Sequence, residues 1–360
     1  MPDFPSTPLY QRLRVQLVAS PRVWLVTGAA GFIGSHLVQA LLELGQRVVG
    51  LDDFSTGHQS NLDEALSARP DARPNFRLLR GDIRDAAICR QACEGVDYVL
   101  HQAALASVPR SIADPVRTHG VNVDGFLNVL VAARDARVRR LVYASSSSVY
   151  GDATVIPQVE DHTGRVLSPQ AASKAANELF AGAFERTYGL ESVGLRYFNV
   201  FGPRQDPNGA YAAVIPRWIS RMLDGTPCTV YGDGETSRDF CFVANAVQAN
   251  LLAATTSGAD VTGQAFNVAC GQPTSLNELF RMTRLGLTGY HPSVAAAVPH
   301  HEPERQGDMR HSRADIGKAR RRLGYEPEYR VSTGLGETIE WYAARAGAMV
   351  TDDAEAVGAR

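Results

Sequence analysis

Between Val23 and Asp53 the chain reads VWLVTGAAGFIGSHLVQALLELGQRVVGLDD, a stretch that few architectures can accept. Val23 to Thr27 is an apolar run of strand length, and it stops at Gly28. Glycines recur at 31 and 34, Ser35 to Leu44 has helical periodicity, and Gly45 is placed to end that helix. Val48 to Leu51 is a second apolar run, closed by Asp52 and Asp53. Strand, glycine turn, helix and strand in this order make the unit that binds dinucleotides. Gly28 permits the tight turn, Gly31 lets backbone N–H groups approach a pyrophosphate, and Gly34 lets the helix lie close on the strand. Phe32 and Ile33 stand between the second and third glycines, ahead of a helix whose N-terminus favours phosphate, and join the expected cofactor set. Either Asp52 or Asp53 is placed to accept hydrogen bonds from the adenosine ribose, and a carboxylate there repels a 2′-phosphate. The expected cofactor is NAD rather than NADP.

Further strands follow at regular spacing. Phe76 to Leu79 leads into Gly81-Asp82-Ile83, where Asp82 reads either as an adenine contact or as a helix N-cap. Val96 to Leu100 is closed by His101, Gln102, Ala103 and Ala104, small enough at its end for backbone to pass close to the nicotinamide half. Val121 to Arg134 is a helix carrying Asn122, which joins the expected cofactor set. Leu141 to Ala144 runs into four serines and Val149-Tyr150-Gly151. Ser168 to Tyr188 is helical, Val193 to Tyr197 is a strand, and Tyr197 and Val200 border the same expected site. Strands alternating with helices predict an α/β fold, a doubly wound parallel sheet with ligands at the strands' C-terminal ends. Four segments are expected: a helical extension over 1–21, a Rossmann domain over 22–195, an irregular substrate lobe over 196–345, and a frayed tail over 346–360. The segment around 240–270 is expected to pack back on the Rossmann domain.

Net charge is −2 and hydrophobic content 44%, with no basic tract for nucleic acid. No apolar run approaches the ~20 residues that span a bilayer, and Pro2, Asp3 and Pro5 argue against a signal-peptide core. Five scattered cysteines complete no metal site and read as reduced thiols, so the expected location is the cytoplasm.

A polar strand end followed some twenty residues later by a helix bearing Lys174 makes the chain recognisable. It resembles the extended short-chain dehydrogenase/reductases, and within them the nucleotide-sugar 4-epimerases, over roughly residues 22 to 343. The resemblance rests on TGAAGFIGSHL, LHQAALASVPRS, YASSSSVYGD, SPQAASKAANE, LRYFNVFGPRQDP, YGDGETSRDF and RQGDMRHS. The last motifs, with AYAAVIPRW, look most like bacterial epimerases for UDP-N-acetylglucosamine and UDP-N-acetylgalactosamine. Such enzymes oxidise sugar C4 with tightly bound NAD, let the 4-keto sugar turn, and reduce it on the opposite face. A homodimer through two helices is typical of the superfamily.

The resemblance implies roles. Ser146, flanked by Ser147 and Ser148, takes the position of the serine that hydrogen-bonds O4, and Lys174 that of the lysine beside the catalytic tyrosine, which also reaches the nicotinamide ribose. Ser107 is expected to face the sugar, Asn199 to hold the diphosphate-sugar, and Arg238 a phosphate. Arg305, Asp308 and Arg310 are expected around the uridine or its phosphates, and Val214, Trp218 and Tyr231 around the uracil. Ser312 stands where enzymes restricted to UDP-glucose and UDP-galactose carry a tyrosine, which implies room for an N-acetyl group.

The departure is Gln170. The family's Tyr-x-x-x-Lys reads Gln170-Ala171-Ala172-Ser173-Lys174 here, and an amide cannot act as base near neutral pH. Two explanations fit: a natural member that is impaired or rerouted, or a substitution that traps substrate, which the intact surrounding motifs favour. A sugar dehydratase or a UDP-glucuronate decarboxylase is a competing reading, weakened because no acid accompanies Ser146-Ser147-Ser148. A non-catalytic protein that retains NAD and nucleotide-sugar binding is a second.

Overall fold

The computed structural model describes residues 6–208, 212–258, 260–304 and 310–358, with 347–358 as backbone alone. Seven strands build one parallel sheet: β1 (Val23–Thr27), β2 (Arg47–Asp52), β3 (Phe76–Arg80), β4 (Tyr98–His101), β5 (Arg140–Ser146), β6 (Ser192–Tyr197) and β7 (Gln264–Val268). Their order is β7-β6-β5-β4-β1-β2-β3. The chain therefore runs outward from β1 in one direction, returns to β4 and continues the other way. The crevice at that reversal is where doubly wound sheets bind ligands.

The central strands are apolar along their whole length because helices cover both faces. Trp24, Val26, Leu100, Val142, Val193, Leu195 and Phe266 face one cluster, joined by helices Phe32–Glu43 and Val243–Thr255. Leu25, Val99, Leu141 and Tyr143 face the other, joined by Phe126, Val129 and Phe184. A third cluster, around Trp218, Ile219, Phe280 and Ile339, holds the smaller lobe together.

Residues 243–268 supply a helix and the sheet's last strand, so the sheet takes strands from both halves of the chain. The N-terminal helix Pro8–Ala19 buries Tyr10, Leu13 and Leu17. Gln46 ties it down, donating to the Leu17 carbonyl and accepting from the Arg22 N–H and Trp24 Nε1. At the other end, the last helix runs Val331–Gly358, so 346–358 of the expected frayed tail is helical, and 359–360 lie outside the described residues. Residues 346–358 hold several alanines and acids and no proline, so nothing in them halts a helix already under way. Glu64 fastens this helix to the body, accepting from Trp341 Nε1 and pairing with Arg345 and Arg204. Among the described residues, no helix is long and apolar enough to cross a membrane.

Candidate active site

The reversal of strand order opens a cleft of about 560 Å³ at the C-terminal ends of β1, β2, β4, β5 and β6. One wall is the glycine turn. Gly28 has φ +70°, and a Cβ there would stand 2.8 Å from the Ala103 nitrogen. A Cβ on Gly34 would lie 1.9 Å from the Gly28 carbonyl oxygen, so helix and turn touch through backbone alone. Gly31 is the N-cap of helix Phe32–Glu43 and offers no side chain to its first N–H groups. Those donors point where an anion is stabilised by the helix dipole.

Asp52 ends β2 nearly buried, accepting from the Ala30 and Phe54 N–H groups at 2.8 Å each. Burial pushes its carboxyl upward, partly offset by those two bonds. A carboxylate offers about four lone-pair sites, so acceptor capacity remains for ribose hydroxyls. Asp53, exposed beside it, accepts from Ser55. Both aspartates line the cleft, as do Phe32, Ile33, Asp82, Ile83, Ala103, Ala104 and Val200. Asp82 is not the N-cap of helix Ala86–Cys93. Asp85 fills that role, while Asp82 pairs with Arg84, whose hydrogen bond holds its carboxyl below the usual range. This cradle fits a dinucleotide: bare backbone at the turn, open helix donors and acids at the neighbouring strand ends.

The floor towards β6 is a closed ring of hydrogen bonds. Tyr197 Oη donates to Gln102 Oε1, Gln102 Nε2 donates to Asn250 Oδ1, and Asn250 Nδ2 donates back to Tyr197 Oη. Asn250 was not among the expected residues. It lies on helix Val243–Thr255, far along the chain, and only the packing of that helix brings it here.

Ser145 and Ser146 close β5 and Ser147–Tyr150 turns away as a single 3-10 turn, so the serine run is half strand and half turn. Ser145, Ser146, Ser147, Gln170 and Lys174 all line the cleft. Helix Pro169–Tyr188 starts at Ser168, whose side chain accepts from the Ala171 N–H, and this places Gln170 and Lys174 one above the other. The Ser148 hydroxyl is 2.9 Å from both Ser146 Oγ and Gln170 Oε1. A carbonyl oxygen only accepts, so Ser148 gives its single proton to Gln170 and receives that of Ser146. The chain of bonds leaves the Gln170 NH₂ to face the cleft. Lys174 Nζ donates to the Ala144 carbonyl at 2.7 Å, and burial pushes its pKa down to about 8. Behind them His101 accepts or donates to Thr27 Oγ1 and is pushed down to about 3, by burial first and by Lys174 second.

A second cavity, of about 270 Å³, adjoins the first through Asn199, which lines both. Asn199 has φ +35°, in the left-handed region that asparagine tolerates better than most residues. Val214, Trp218, Tyr231, Arg238 and Arg310 line this cavity, and Arg217 and Thr236, which were not expected, join them. Arg217 stands one residue before Trp218 on helix Val214–Leu223, a spacing that could have drawn attention to it. Arg310 is paired with Asp233 and Glu304. Behind this wall Asp239 is fully buried, accepting from the Cys270 and Ala314 N–H groups, and burial pushes it up to about 7.

Three expected site residues are placed differently, and two lie outside the described residues. Asn122 lies beneath the cleft: its side chain bonds the Leu105 N–H and carbonyl and Ser173 Oγ, so it shapes the loop after β4. Ser107 is the N-cap of helix Val108–Ala113 and accepts from the Arg110 N–H, which turns its hydroxyl along the rim. Ser312 is only 4% exposed and lines neither cavity; its hydroxyl reaches Gln158 Oε1 at 3.4 Å. Arg305 and Asp308 fall outside the described residues. Among the described residues, no cluster of His, Cys, Asp and Glu could hold a metal ion.

The sequence pattern of the NAD dependent epimerase/dehydratase family matches residues 24–269. A UDP-glucose 4-epimerase of Mycolicibacterium smegmatis is 39% identical over 325 residues, covering 88% of this chain and 97% of that one. A UDP-N-acetylglucosamine 4-epimerase from Methanobrevibacter ruminantium, solved with UDP-N-acetylmuramic acid, superposes with a TM-score of 0.83 at 38% identity, over 91% and 99% of the two chains. A dTDP-glucose 4,6-dehydratase from Streptomyces venezuelae, solved with NAD bound, gives 0.79 at 33% identity, over 90% and 98%. The relatives thus span epimerases and dehydratases of nucleotide sugars. They share the fold, the glycine turn answers to a dinucleotide, and NAD is the cofactor. This chain belongs to the NAD dependent epimerase/dehydratase family.

Proposed function

We propose that the chain is a UDP-N-acetylhexosamine 4-epimerase acting on UDP-N-acetylglucosamine and UDP-N-acetylgalactosamine, slowed by Gln170. The observation that carries it is the meeting of two cavities at Asn199, with Ser146, Gln170 and Lys174 on the side of the first. When bound, NAD supplies reversible two-electron oxidation at sugar C4. Gly28, Gly31, Gly34 and Asp52 hold its adenosine diphosphate half, and Gln102, Ala103 and Ala104 lie along the nicotinamide half. Arg238 and Arg310 hold the diphosphate of the sugar nucleotide, since guanidinium groups pair with phosphate through two bonds. Val214, Trp218 and Tyr231 surround the uracil. The Gln170 NH₂ presents a donor to O4, and Ser146 Oγ, whose own proton goes to Ser148, keeps a lone pair that can accept from the O4 hydroxyl. In this reading residues 22–195, with 243–268, hold the cofactor, the rest of 196–345 holds the sugar nucleotide, and 1–21 is a structural extension.

The preference for acetylated sugars rests on Ser312. Ser312 lines neither cavity, so a tyrosine there acts on the sugar only through the wall it displaces, Gln158 first. Ser312→Tyr is expected to weaken UDP-N-acetylglucosamine binding by at least ~10-fold while sparing UDP-glucose, the scale of a pocket steric change. Calorimetry with both ligands checks this, with a melting curve alongside; equal loss for both sugars removes the assignment.

A homodimer is part of the proposal. Helix Pro169–Tyr188 leaves Leu179 74% exposed and helix Pro115–His119 leaves Val116 81% exposed, beside an apolar groove between the two helices. Large exposed aliphatics at neighbouring helices mark an interaction surface. Sedimentation is expected to give a dimer and Leu179→Lys a monomer; a wild-type monomer at micromolar concentration removes this element. The second reading, a binding protein without turnover, is favoured by one observation, the amide at 170. It predicts tight UDP-sugar binding with no product at all.

A further inference from the structure

Of the 36 lysines and arginines, only two are lysine, Lys174 and Lys318. The rest are arginine, which stays protonated in proteins, whereas lysine can lose its proton when buried. Lys174 is 3% exposed, lines the cleft, and forms no ion pair among the described residues. Its one hydrogen bond goes to a neutral acceptor, the Ala144 carbonyl, two residues before Ser146 and so on the same face of β5.

The other groups around it are occupied. The Gln170 carbonyl oxygen is taken by Ser148, and an amide stores no proton. Ser146 can pass a proton on but not keep it. On β4, His101 is buried against Thr27. On β6, Tyr197 belongs to the closed ring with Gln102 and Asn250. One turn along its own helix, Glu178 is held by Arg196 and Ser145. Asp52, Asp53 and Asp82 belong to the β2 and β3 side of the sheet, across β1 and β4 from β5.

We infer that neutral Lys174 is the proton acceptor for sugar O4 in this chain, filling the role that the residue at 170 cannot. The inference rests on the epimerase reading. In the step, the O4–H bond breaks and an N–H bond forms on Nζ; the C4–H electron pair passes to the nicotinamide oxidant and C4–O4 becomes a carbonyl. Both transfers reverse on the other face of C4. Burial without a counter-charge supports the role, because it brings the amine's titration down to about 8. The neutral fraction then rises about tenfold per pH unit up to that point and levels off above it.

Two lysines make the test direct. In protein labelled with ¹³C-lysine, two Cε–Hε signals are expected, assigned by Lys174→Arg and Lys318→Arg. The Lys174 signal is expected to titrate near pH 8 in the protein without substrate. Reduction of bound NAD by UDP-N-acetylglucosamine, followed at 340 nm, is expected to rise with the same midpoint. Lys174→Arg should lose that limb and slow reduction at least ~10-fold, with NAD affinity measured separately so that a lost cofactor is not read as a lost base. A Lys174 signal still protonated at pH 10, or an unchanged profile in Lys174→Arg, overturns the inference alone. Failure of UDP-N-acetylglucosamine to bind by calorimetry removes the epimerase reading and this inference with it.

Discussion

Gln170→Tyr is expected to raise the rate of C4 epimerisation at least ~10²-fold, the lower scale of a positioned general base. The geometry is prepared for it. Residue 170 is on the first turn of helix Pro169–Tyr188, nearly buried, with Lys174 one turn on and Ser146 and Ser148 opposite. A phenol at 170 would receive from the serine chain what the amide oxygen receives now, and it adds a proton site that an amide lacks. The buried ammonium beside it favours the phenolate. The variant and the parent should bind UDP-N-acetylglucosamine with similar affinity, because the change acts on proton transfer. Product formation followed by NMR, with binding by calorimetry, separates these. An unchanged turnover would show that something other than the missing phenol limits the chain.

Gly34→Ala is expected to weaken NAD binding by about 10²-fold or to prevent folding of the first lobe. The added methyl would meet the Gly28 carbonyl oxygen at 1.9 Å, and that oxygen is backbone held by the turn. No rotamer avoids it, so helix Phe32–Glu43 must shift off β1, at a cost of roughly 3 kcal/mol, about a hundredfold in affinity. Gly45→Ala is the matched control. Gly45 also has a left-handed φ of +69°, but a Cβ there meets nothing within 4 Å. It should cost about 1 kcal/mol of stability and leave cofactor affinity unchanged. Fluorescence titration with NAD and thermal unfolding of both variants decide the matter; wild-type affinity in a well-folded Gly34→Ala would contradict the close approach.

The two predictions draw on features that differ in how openly the sequence displays them. The glycine turn and the pair Asp52-Asp53 are legible because strand, turn, helix and strand are contiguous, though which of the two acids serves is not. The parallel sheet follows from strand–helix alternation for the same reason. Asn250 is invisible at that level, since it meets Gln102 and Tyr197 only when helix Val243–Thr255 crosses back over the sheet. Ser107, Asn122 and Ser312 fall in the right neighbourhood but face elsewhere. Position along the chain fixes which loop a residue belongs to, whereas the direction of a short polar side chain is decided by the polar groups, backbone or side chain, within its reach. A cap on the Arg110 N–H, a brace for Leu105 and a contact to Gln158 each won that competition.

The ring of Gln102, Tyr197 and Asn250 has a consequence for how a reactive ketone is kept. Each member turns a donor toward the next, so that side of the chamber is chemically quiet: it lends no acid and takes up no base. All traffic in protons is thereby confined to the facing side, where serines, an amide and one amine stand. In the proposed reaction, a keto sugar turning between its oxidation and its re-reduction would pass across an inert surface and meet exchangeable hydrogens only on the facing side.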